Sequence, residues 1–264
     1  MSYDKLIDIA VAKSAGLMDN YSRRILYAVS RSKTLGEAIK AIGLVVYPKS
    51  KVSKVLFDLM SMSYAVGAIS VERMIPNVST EVAEIMRIFG GDDIKDIMRR
   101  VKAKSNTIAL DFKDHIGSSV EKQLIKQYIG GNQSIREAVK AISAKLSALG
   151  ITQSKPHHLR TVMDTAATSA ARWGEYQAQR SHPGEYYWTY HTQGDDRVRP
   201  AHRQMDGRTY HMDDPVWQTW YPPNGYNCRC YVTSSSRGEY YMQGYPQDSP
   251  DVGFTGTPDM FFKA

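Results

Sequence analysis

The sequence predicts an α+β fold: a mainly α-helical N-terminal two-thirds, a small loop-rich antiparallel β module, and an extended C-terminal tail. Two observations predict it. Apolar residues recur at helical spacing up to about residue 180, whereas all four tryptophans and 11 of the 17 tyrosines follow residue 172. Aromatic residues favour strands, and helices followed by strands indicate segregated elements rather than alternating βαβ units.

Capping and periodicity identify the helices. Thr34 and Glu37 form a capping box that opens a helix. Residues 51–72 repeat apolar positions at helical spacing, and a further helix is expected over residues 157–179. In residues 107–129 the apolar residues lie four apart on one stripe, which consists of Ile108, Phe112, Ile116, Val120, Leu124 and Tyr128.

Short strands are expected in the aromatic part of the chain. Residues 186–190, 208–211 and 230–233 are dense in residues that favour strands. Asp206-Gly207 and the Pro-Pro-Asn-Gly stretch at 222–225 supply turns between them. After residue 244 the sequence is rich in Pro, Gly and Asp, which predicts the extended tail.

The basic residues are unevenly distributed. Residues 1–150 hold 23 Lys and Arg against 15 Asp and Glu, whereas residues 151–264 hold 11 against 12, so the first part carries +8 and the second −1. A basic surface suits nucleic acid or an acidic partner, and solvated helix faces are the alternative interpretation. The densest basic cluster, and the candidate contact for nucleic acid, is Arg99, Arg100, Lys102 and Lys104.

Composition argues against two classes of protein. A membrane helix needs about 20 apolar residues, and the longest uninterrupted apolar stretch lies near residues 42–47. The N-terminus, with Asp4 and Asp8, does not look like a signal peptide. Two cysteines cannot form a disulfide scaffold and favour a reducing compartment. We therefore expect no membrane contact.

The aromatic part contains a distinctive pattern. Residues 196–199 (Asp-Arg-Val-Arg) precede His202 and Asp206-Gly207, and residues 222–225 precede 228–230 (Cys-Arg-Cys). This combination resembles the signature of the phage Mu F-like head-morphogenesis family, the minor capsid proteins of tailed phages. We call the following residues the signature: Trp188, Asp196, Arg197, Arg199, His202, Asp206, Gly207, Trp217, Pro223, Gly225, Cys228, Arg229 and Cys230.

The resemblance also suggests a domain organisation. Residues 130–149 resemble a capped helix of the family. Asp164 stands near the position where the family usually has Arg-Thr-Glu, so the role of that Glu is not carried over. The expected regions are an unassigned helical region (1–104), the Mu F-like domain (105–235, with helices in 105–180 and the β module in 185–235) and the tail (236–264).

The resemblance implies a virion component located in the head, and in the host cytoplasm during assembly. Its implied partners are the portal protein, the major capsid protein or both, with packaged DNA as a further partner. It would lie near the portal vertex and act in head assembly and in DNA packaging or delivery, without enzymatic activity. The alternative is a DNA-binding or metal-dependent nuclease module acting at packaging.

Three signature residues are candidate metal ligands. His202, Cys228 and Cys230 supply donors suited to structural zinc. The Cys-x-Cys spacing is tighter than in most zinc modules, so buried free thiols and a strained disulfide remain alternatives. The fourth ligand is left open between His191, His211 and Asp196.

The charged signature residues predict a cluster that pins the loops. A guanidinium fork binds carboxylates or carbonyls in two-point fashion and can order loops that lack sheet hydrogen bonds. Trp188 and Trp217 would supply its apolar floor, and plain surface charge is the alternative. The expected members are Asp196, Arg197, Arg199 and Arg229.

Catalysis is the weakest interpretation of the same residues. Asp196, His202, Asp206 and Asn224 are types that a metal nuclease uses. However, the sequence has no Gly-rich phosphate loop, no Gly-x-Ser-x-Gly elbow and no His-Glu-x-x-His motif. We therefore predict no catalytic residue.

Overall fold

The computed structural model describes residues 3–74, 92–129, 135–150, 156–181, 184–236 and 244–263. The chain divides into two compact units: unit 1 comprises Met1–Phe57 and Lys104–Met163, and unit 2 comprises Asp58–Ala103 and Asp164–Ala264. The predicted α+β class is confirmed. The elements are α1 (Tyr3–Ser30), α2 (Leu35–Leu44), α3 (Lys49–Met74), α4 (Asp92–Ile129), α5 (Ile135–Ala148), α6 (His157–Ser181), β1 (Tyr187–His191), α7 (Pro200–Met205), β2 (Thr209–His211), α8 (Trp217–Trp220), β3 (Tyr231–Ser235) and a 3₁₀ helix (Pro258–Phe262).

Helix α1 packs against α2 and α5 in unit 1. The predicted capping box opens α2: the Thr34 hydroxyl accepts a hydrogen bond from the Glu37 amide at 3.2 Å. The Glu37 carboxylate accepts from the Lys33 amide at 2.7 Å, one residue before the expected donor. Both bonds satisfy amides near the helix start that have no partner inside the helix.

Helix α4 is longer than the 107–129 stripe predicted, because it begins at Asp92. Its buried face steps back three residues from Phe112 to Ala109 and then continues in steps of four through Ser105, Val101 and Ile97. Ile108, expected on the stripe, is only half-buried. Ser105 and Ala109 are too small or too polar to appear in a search for large apolar residues. The expected regional boundary after residue 104 therefore falls inside one continuous helix.

Helix α3 is more apolar than the sequence analysis indicated. The stretch Lys49–Ser70 is long and apolar enough to cross a membrane by length and composition, which the search for unbroken apolar runs did not indicate. Half of its apolar window is buried inside the protein, as in the core helices of soluble proteins, which pass the same test. We interpret α3 as a core helix.

Two glycines let α3 approach α6 closely within unit 2. A Cβ on Gly67 would lie 2.0 Å from the Ala171 carbonyl oxygen, and one on Gly174 would lie 2.1 Å from the Tyr64 carbonyl oxygen. Both obstacles are backbone atoms, which cannot rotate aside. A side chain at either glycine would force the two helices apart.

The β module is a three-stranded antiparallel sheet in the order β2-β1-β3. Along β1, Trp188 and Tyr190 are buried while their neighbours are half-buried, which is the alternation of a strand with one face on a core. Tyr190 lies opposite Val232 on β3. The strand predicted at 230–233 begins at Tyr231 instead, so Cys228 and Cys230 lie in the loop that precedes it.

The tail returns to unit 2. Its described part, residues 244–263, is irregular apart from the 3₁₀ helix. Phe262 is buried and stacks on Trp173 with ring centroids 4.7 Å apart. Arg100 lies over the same indole at 4.6 Å and forms an ion pair with Asp259 at 3.2 Å. Trp173 thus joins α4, α6 and the tail.

Candidate functional site

His202, Cys228 and Cys230 converge as predicted. The Nδ1 atom of His202 lies 3.9 Å from the Cys228 sulfur and 3.7 Å from the Cys230 sulfur. The three donor atoms lie within 4.8 Å of one another, and all three residues are buried. Both cysteines are free in the structure. We call these three residues the Cys-His cluster.

Short elements position the cluster. Pro200 begins α7, where its missing N–H costs no helical hydrogen bond, and His202 follows in the first turn. The loop that carries the cysteines passes through Asn227, which has a φ of 56°. Asn224 is wholly buried, and its Oδ1 accepts a hydrogen bond from the Tyr190 hydroxyl at 2.8 Å. These constraints aim both sulfurs at one imidazole.

The two thiols have different proton affinities. The hydrogen bond from the Cys230 thiol holds the pKa of Cys228 well below its usual range, although burial opposes this; His202 and the backbone N–H groups of Asn224 and Cys230 also stabilise the Cys228 thiolate. The same contact with Cys228, together with burial, raises the pKa of Cys230. Cys228 is therefore the first of the pair to ionise.

None of the three residues expected as a fourth metal ligand joins the cluster within the described part of the chain. The His191 ring bonds to the Thr233 hydroxyl at 2.8 Å, on the sheet. His211 faces Asp213 at 3.8 Å. Asp196 is exposed. Those expectations were wrong because spacing in the sequence does not show which way a strand or loop side chain points.

Charged residues do hold the loops together. The acidic residue predicted for this cluster was Asp196, but the structure uses other carboxylates. Arg229 pairs with Asp195 at 2.7 Å, not with Asp196, and the hydrogen bond from Arg229 lowers the pKa of the Asp195 carboxyl. The side chain of Arg197 is exposed, and its charge also lowers the pKa of the Asp195 carboxyl. The Asp195 carboxylate also accepts the backbone N–H of Arg197 at 3.2 Å, which tightens the turn.

Arg199 forms the second pin. It pairs with Asp251 of the tail at 3.3 Å and donates to the Tyr226 carbonyl at 2.8 Å. Gly225 lies against this pair, since a Cβ there would be 2.2 Å from the Asp251 carboxylate oxygen and 3.2 Å from the Arg199 guanidinium carbon. The signature glycine therefore makes room for an ion pair.

The remaining signature residues complete the turns and the core. Asp206 accepts the Thr192 amide at 2.7 Å, and Gly207, with a φ of 74°, donates its amide to Tyr190 at 2.8 Å. The Trp217 indole N–H donates to the His211 carbonyl at 2.9 Å. The other members are buried Trp188 and Pro223, the latter after a cis peptide bond.

Sequence reasoning missed several residues that support the site. Gln179 is buried on α6, donates to the Val232 carbonyl at 3.1 Å and accepts the Tyr221 hydroxyl at 3.0 Å. Arg172 and Glu175 form a largely buried ion pair one turn earlier. Gln179 could have been identified as a polar residue on the apolar side of an amphipathic helix. The Arg172–Glu175 ion pair could have been identified from the i,i+3 spacing of opposite charges.

The four basic residues predicted as a cluster on α4 lie in different surroundings. Arg100 is engaged by Asp259 and Trp173. Lys104 is half-buried, and burial lowers the pKa of its amine, against the effect of Asp111. Arg99 is exposed and paired with Asp96, and Lys102 is exposed. Arg99 and Lys102 are thus the members that solvent reaches most freely.

The signature residues together define a compact structural module, closed by the Cys-His cluster and by ion pairs between its loops. The chain belongs to the family described as Phage Mu protein F like protein, whose model matches residues 82–233. The resemblance read from the signature is thereby confirmed, and the match reaches upstream of the expected residue 105.

Two curated relatives are similar to this chain. It is 30% identical over 162 residues to the Mu-like prophage FluMu F protein of Haemophilus influenzae, covering 56% of this chain and 39% of that protein. It is 35% identical over 96 residues to the putative capsid assembly protein F of Escherichia phage Mu, covering 36% of this chain and 22% of that protein. The chain therefore spans about two fifths or less of the curated relatives it matches. No solved structure matches it.

Proposed function

We propose that this chain is a minor capsid protein of a tailed phage or prophage that acts in assembly of the head. The observation that carries the proposal is the burial of the signature: His202, Cys228 and Cys230 are 2%, 4% and 3% exposed. Residues with this exposure hold a fold together and do not meet a large substrate. Family membership and the capsid-assembly name of the phage Mu relative support the same role.

We propose a non-enzymatic role, and the same burial supports it. A DNA phosphodiester cannot reach the Cys-His cluster in the folded module, and Asp195, Arg199 and Arg229 are engaged in ion pairs. We expect no cleavage of supercoiled plasmid by the purified chain with Mg²⁺, Mn²⁺ or Zn²⁺. Cleavage that disappears in Asp206→Asn would support the nuclease alternative, because Asp206 is an exposed acidic residue of the signature and follows His202 by four residues.

The portal protein or the major capsid protein is the proposed protein partner. Unit 1 has a groove of about 360 Å³ between α1 and the end of α2, lined in part by Arg23, Arg24, Tyr27 and Leu44. Tyr27 and Leu44 are 68% and 80% exposed. Exposed aromatic, apolar and arginine side chains are typical of protein interfaces, and the two arginines favour an acidic, apolar segment of the partner.

Copurification tests this contact. The full chain is expressed with the portal protein or with the major capsid protein of the same phage or prophage. Leu44→Asp should abolish capture of the partner, whereas Lys40→Asp, an exposed site on the same helix, should retain it. Equal capture of the partner by both variants would show that the contact lies outside the groove.

Packaged DNA is the second proposed partner, and we propose a role in DNA packaging or delivery as well as in assembly. The +8 charge of residues 1–150 supports it. The most available members of the predicted cluster are Arg99 and Lys102, and Arg100 should be excluded from mutagenesis because it also holds the tail. Binding should weaken steeply with salt through counterion release. Arg99→Glu with Lys102→Glu should reduce affinity and salt dependence together, whereas salt-insensitive binding would contradict this role.

Deletion of the coding region tests the assembly role itself. We expect few or no DNA-filled heads, and restoration by the wild-type chain supplied in trans. Complementation by Trp188→Phe should be nearly normal, because an aromatic residue still fills the core. Normal heads and normal titre in the deletion would overturn the proposed function.

A further inference from the structure

We propose that His202 Nδ1, Cys228 Sγ and Cys230 Sγ bind one zinc ion, which closes the β module. Such an ion would stabilise the folded module whatever the role of the chain in head assembly. The geometry of the Cys-His cluster, its burial and the polar groups around it all suit a metal.

The distances suit a shared metal ion. With Zn–S near 2.3 Å and Zn–N near 2.0–2.1 Å, a tetrahedral angle places sulfur and nitrogen about 3.5–3.6 Å apart. The observed separations from His202 Nδ1 are 3.7 Å and 3.9 Å. Both nitrogen–sulfur separations are therefore within a few tenths of an ångström, roughly, of the edges of a zinc tetrahedron, and the two sulfurs lie within 4.8 Å of each other.

A hydrogen bond explains the same geometry less well. A single ring nitrogen makes one well-aligned hydrogen bond, because it carries either one proton or one lone pair. Here one Nδ1 faces two sulfurs at nearly equal distance. A metal ion placed between the three atoms satisfies both contacts, whereas one proton satisfies only one.

The surroundings of Cys228 suit a thiolate ligand. Its sulfur accepts the backbone N–H groups of Asn224 and Cys230. Such bonds orient a sulfur and spread its negative charge, as outer-shell partners do in metal sites. The loop from Asn224 to Cys230 thus presents both sulfurs together with their supporting donors.

Tyr190 and Asn224 border the Cys-His cluster. Tyr190 contacts Cys230 through its hydroxyl and donates to the Asn224 side-chain oxygen at 2.8 Å. The Asn224 Nδ2 group is a buried donor without a hydrogen-bond partner among the described residues. We assign the fourth ligand to a water molecule, whose oxygen would accept from this amide. A water molecule completes the coordination in the same way at catalytic zinc sites, which have three protein ligands.

The ion would join two segments that are far apart in sequence. His202 lies on α7 and the cysteines precede β3, so the metal closes a loop that includes β2, α8 and the Pro-Pro turn. Zinc binding to the folded state alone would stabilise it by mass action. The module has only three short strands, and small folds often depend on such a crosslink.

The test measures zinc in the full chain purified without chelator from zinc-supplemented cells. Mass spectrometry of the metal content should find about one zinc per chain. Cobalt substitution should give the visible bands of a tetrahedral ion together with thiolate-to-cobalt charge transfer. Titration with an organomercurial should release zinc as the two thiols react, which requires no variant to fold.

Matched variants assign the ligands. His202→Gln and Cys230→Ser should lose bound zinc and the cobalt spectrum, whereas His211→Gln, on β2 of the same module, should keep both. A strong chelator should lower the midpoint of thermal unfolding of the wild type but not of the His202→Gln chain.

Three results would overturn the proposal. One is wild-type protein that is zinc-free, with two thiols that titrate on unfolding, which identifies buried free cysteines. Another is an intact mass two hydrogens lower, which identifies a disulfide. The third is zinc retained at full stoichiometry by His202→Gln.

Discussion

Truncation of Trp188 should destabilise the β module more than any change to its ion pairs. The Trp188 ring is fully buried, with the rings of Tyr176, Trp217 and Tyr221 centred 5.7, 5.6 and 5.3 Å away. Replacing a buried tryptophan by alanine costs about 3–5 kcal/mol. Because three edge-to-face contacts are lost together, we expect Trp188→Ala to lie near the upper end of that range, about 4–5 kcal/mol.

Arg199→Ala is the comparison variant. It removes a charged, partly exposed residue of the signature, whereas Trp188 is aromatic and buried. Arg199 and Asp251 are 38% and 37% exposed at the side chain, and ion pairs at such exposure contribute about 0–1 kcal/mol. The hydrogen bond to the Tyr226 carbonyl adds about 0.5–1.5 kcal/mol. Arg199→Ala should therefore cost about 1–2 kcal/mol and leave the protein folded.

Urea unfolding followed by far-ultraviolet circular dichroism compares the two variants, with Trp188→Phe as a soluble intermediate. Domains are stable by about 5–15 kcal/mol in total, so Trp188→Ala should unfold at much lower urea or accumulate as insoluble protein. The reasoning is refuted if Arg199→Ala is destabilised as strongly as Trp188→Ala. That result would mean that the ion pairs, and not the aromatic core, hold the module together.

The other predictions concern a glycine packed against an ion pair, a buried phenylalanine of the tail and one histidine. Gly225→Ala should displace the Asp251 carboxylate and cost about 1–2 kcal/mol; when combined with loss of the arginine partner, the two costs should not add, and additive costs would contradict the shared contact. Phe262→Ala should cost about 3 kcal/mol through lost stacking on Trp173 and expose the tail to limited proteolysis; a wild-type digestion pattern would contradict this. Burial, then two neighbouring histidines, lower the pKa of His158 in the folded state, so the unfolded state takes up its proton first as pH falls. Stability from this group is therefore lost below about pH 6.5, and His158→Gln should flatten the slope of melting temperature against pH there, whereas an unchanged slope would exclude the effect.

Local sequence signals predicted the parts of the fold that depend on neighbours along the chain. The capping box at Thr34 lies within one turn, so its four residues determine the outcome. The convergence of His202 with the two cysteines was also predictable, because the signature pattern links them. The fold class followed from the shift in composition near residue 172.

Apart from the Cys-His cluster, contacts between distant segments were not predictable from the sequence. Asp195 and Asp196 are adjacent carboxylates, and only the direction of the turn decides that Asp195 meets Arg229. Asp251 stands in a tail whose composition indicates no partner, yet it pairs with Arg199 of the signature. The early start of α4 was missed because Ser105 replaces an apolar residue on its buried stripe.

The central claim is that this chain is built into the phage head, and the count of chains in purified particles tests it most directly. Quantitative mass spectrometry of procapsids and DNA-filled heads from the phage or induced prophage would supply that count, with the major capsid protein as the internal reference. The account predicts a low, reproducible number of copies per particle, reduced by Leu44→Asp and unchanged by Lys40→Asp. Absence of the chain from both procapsids and filled heads would contradict it.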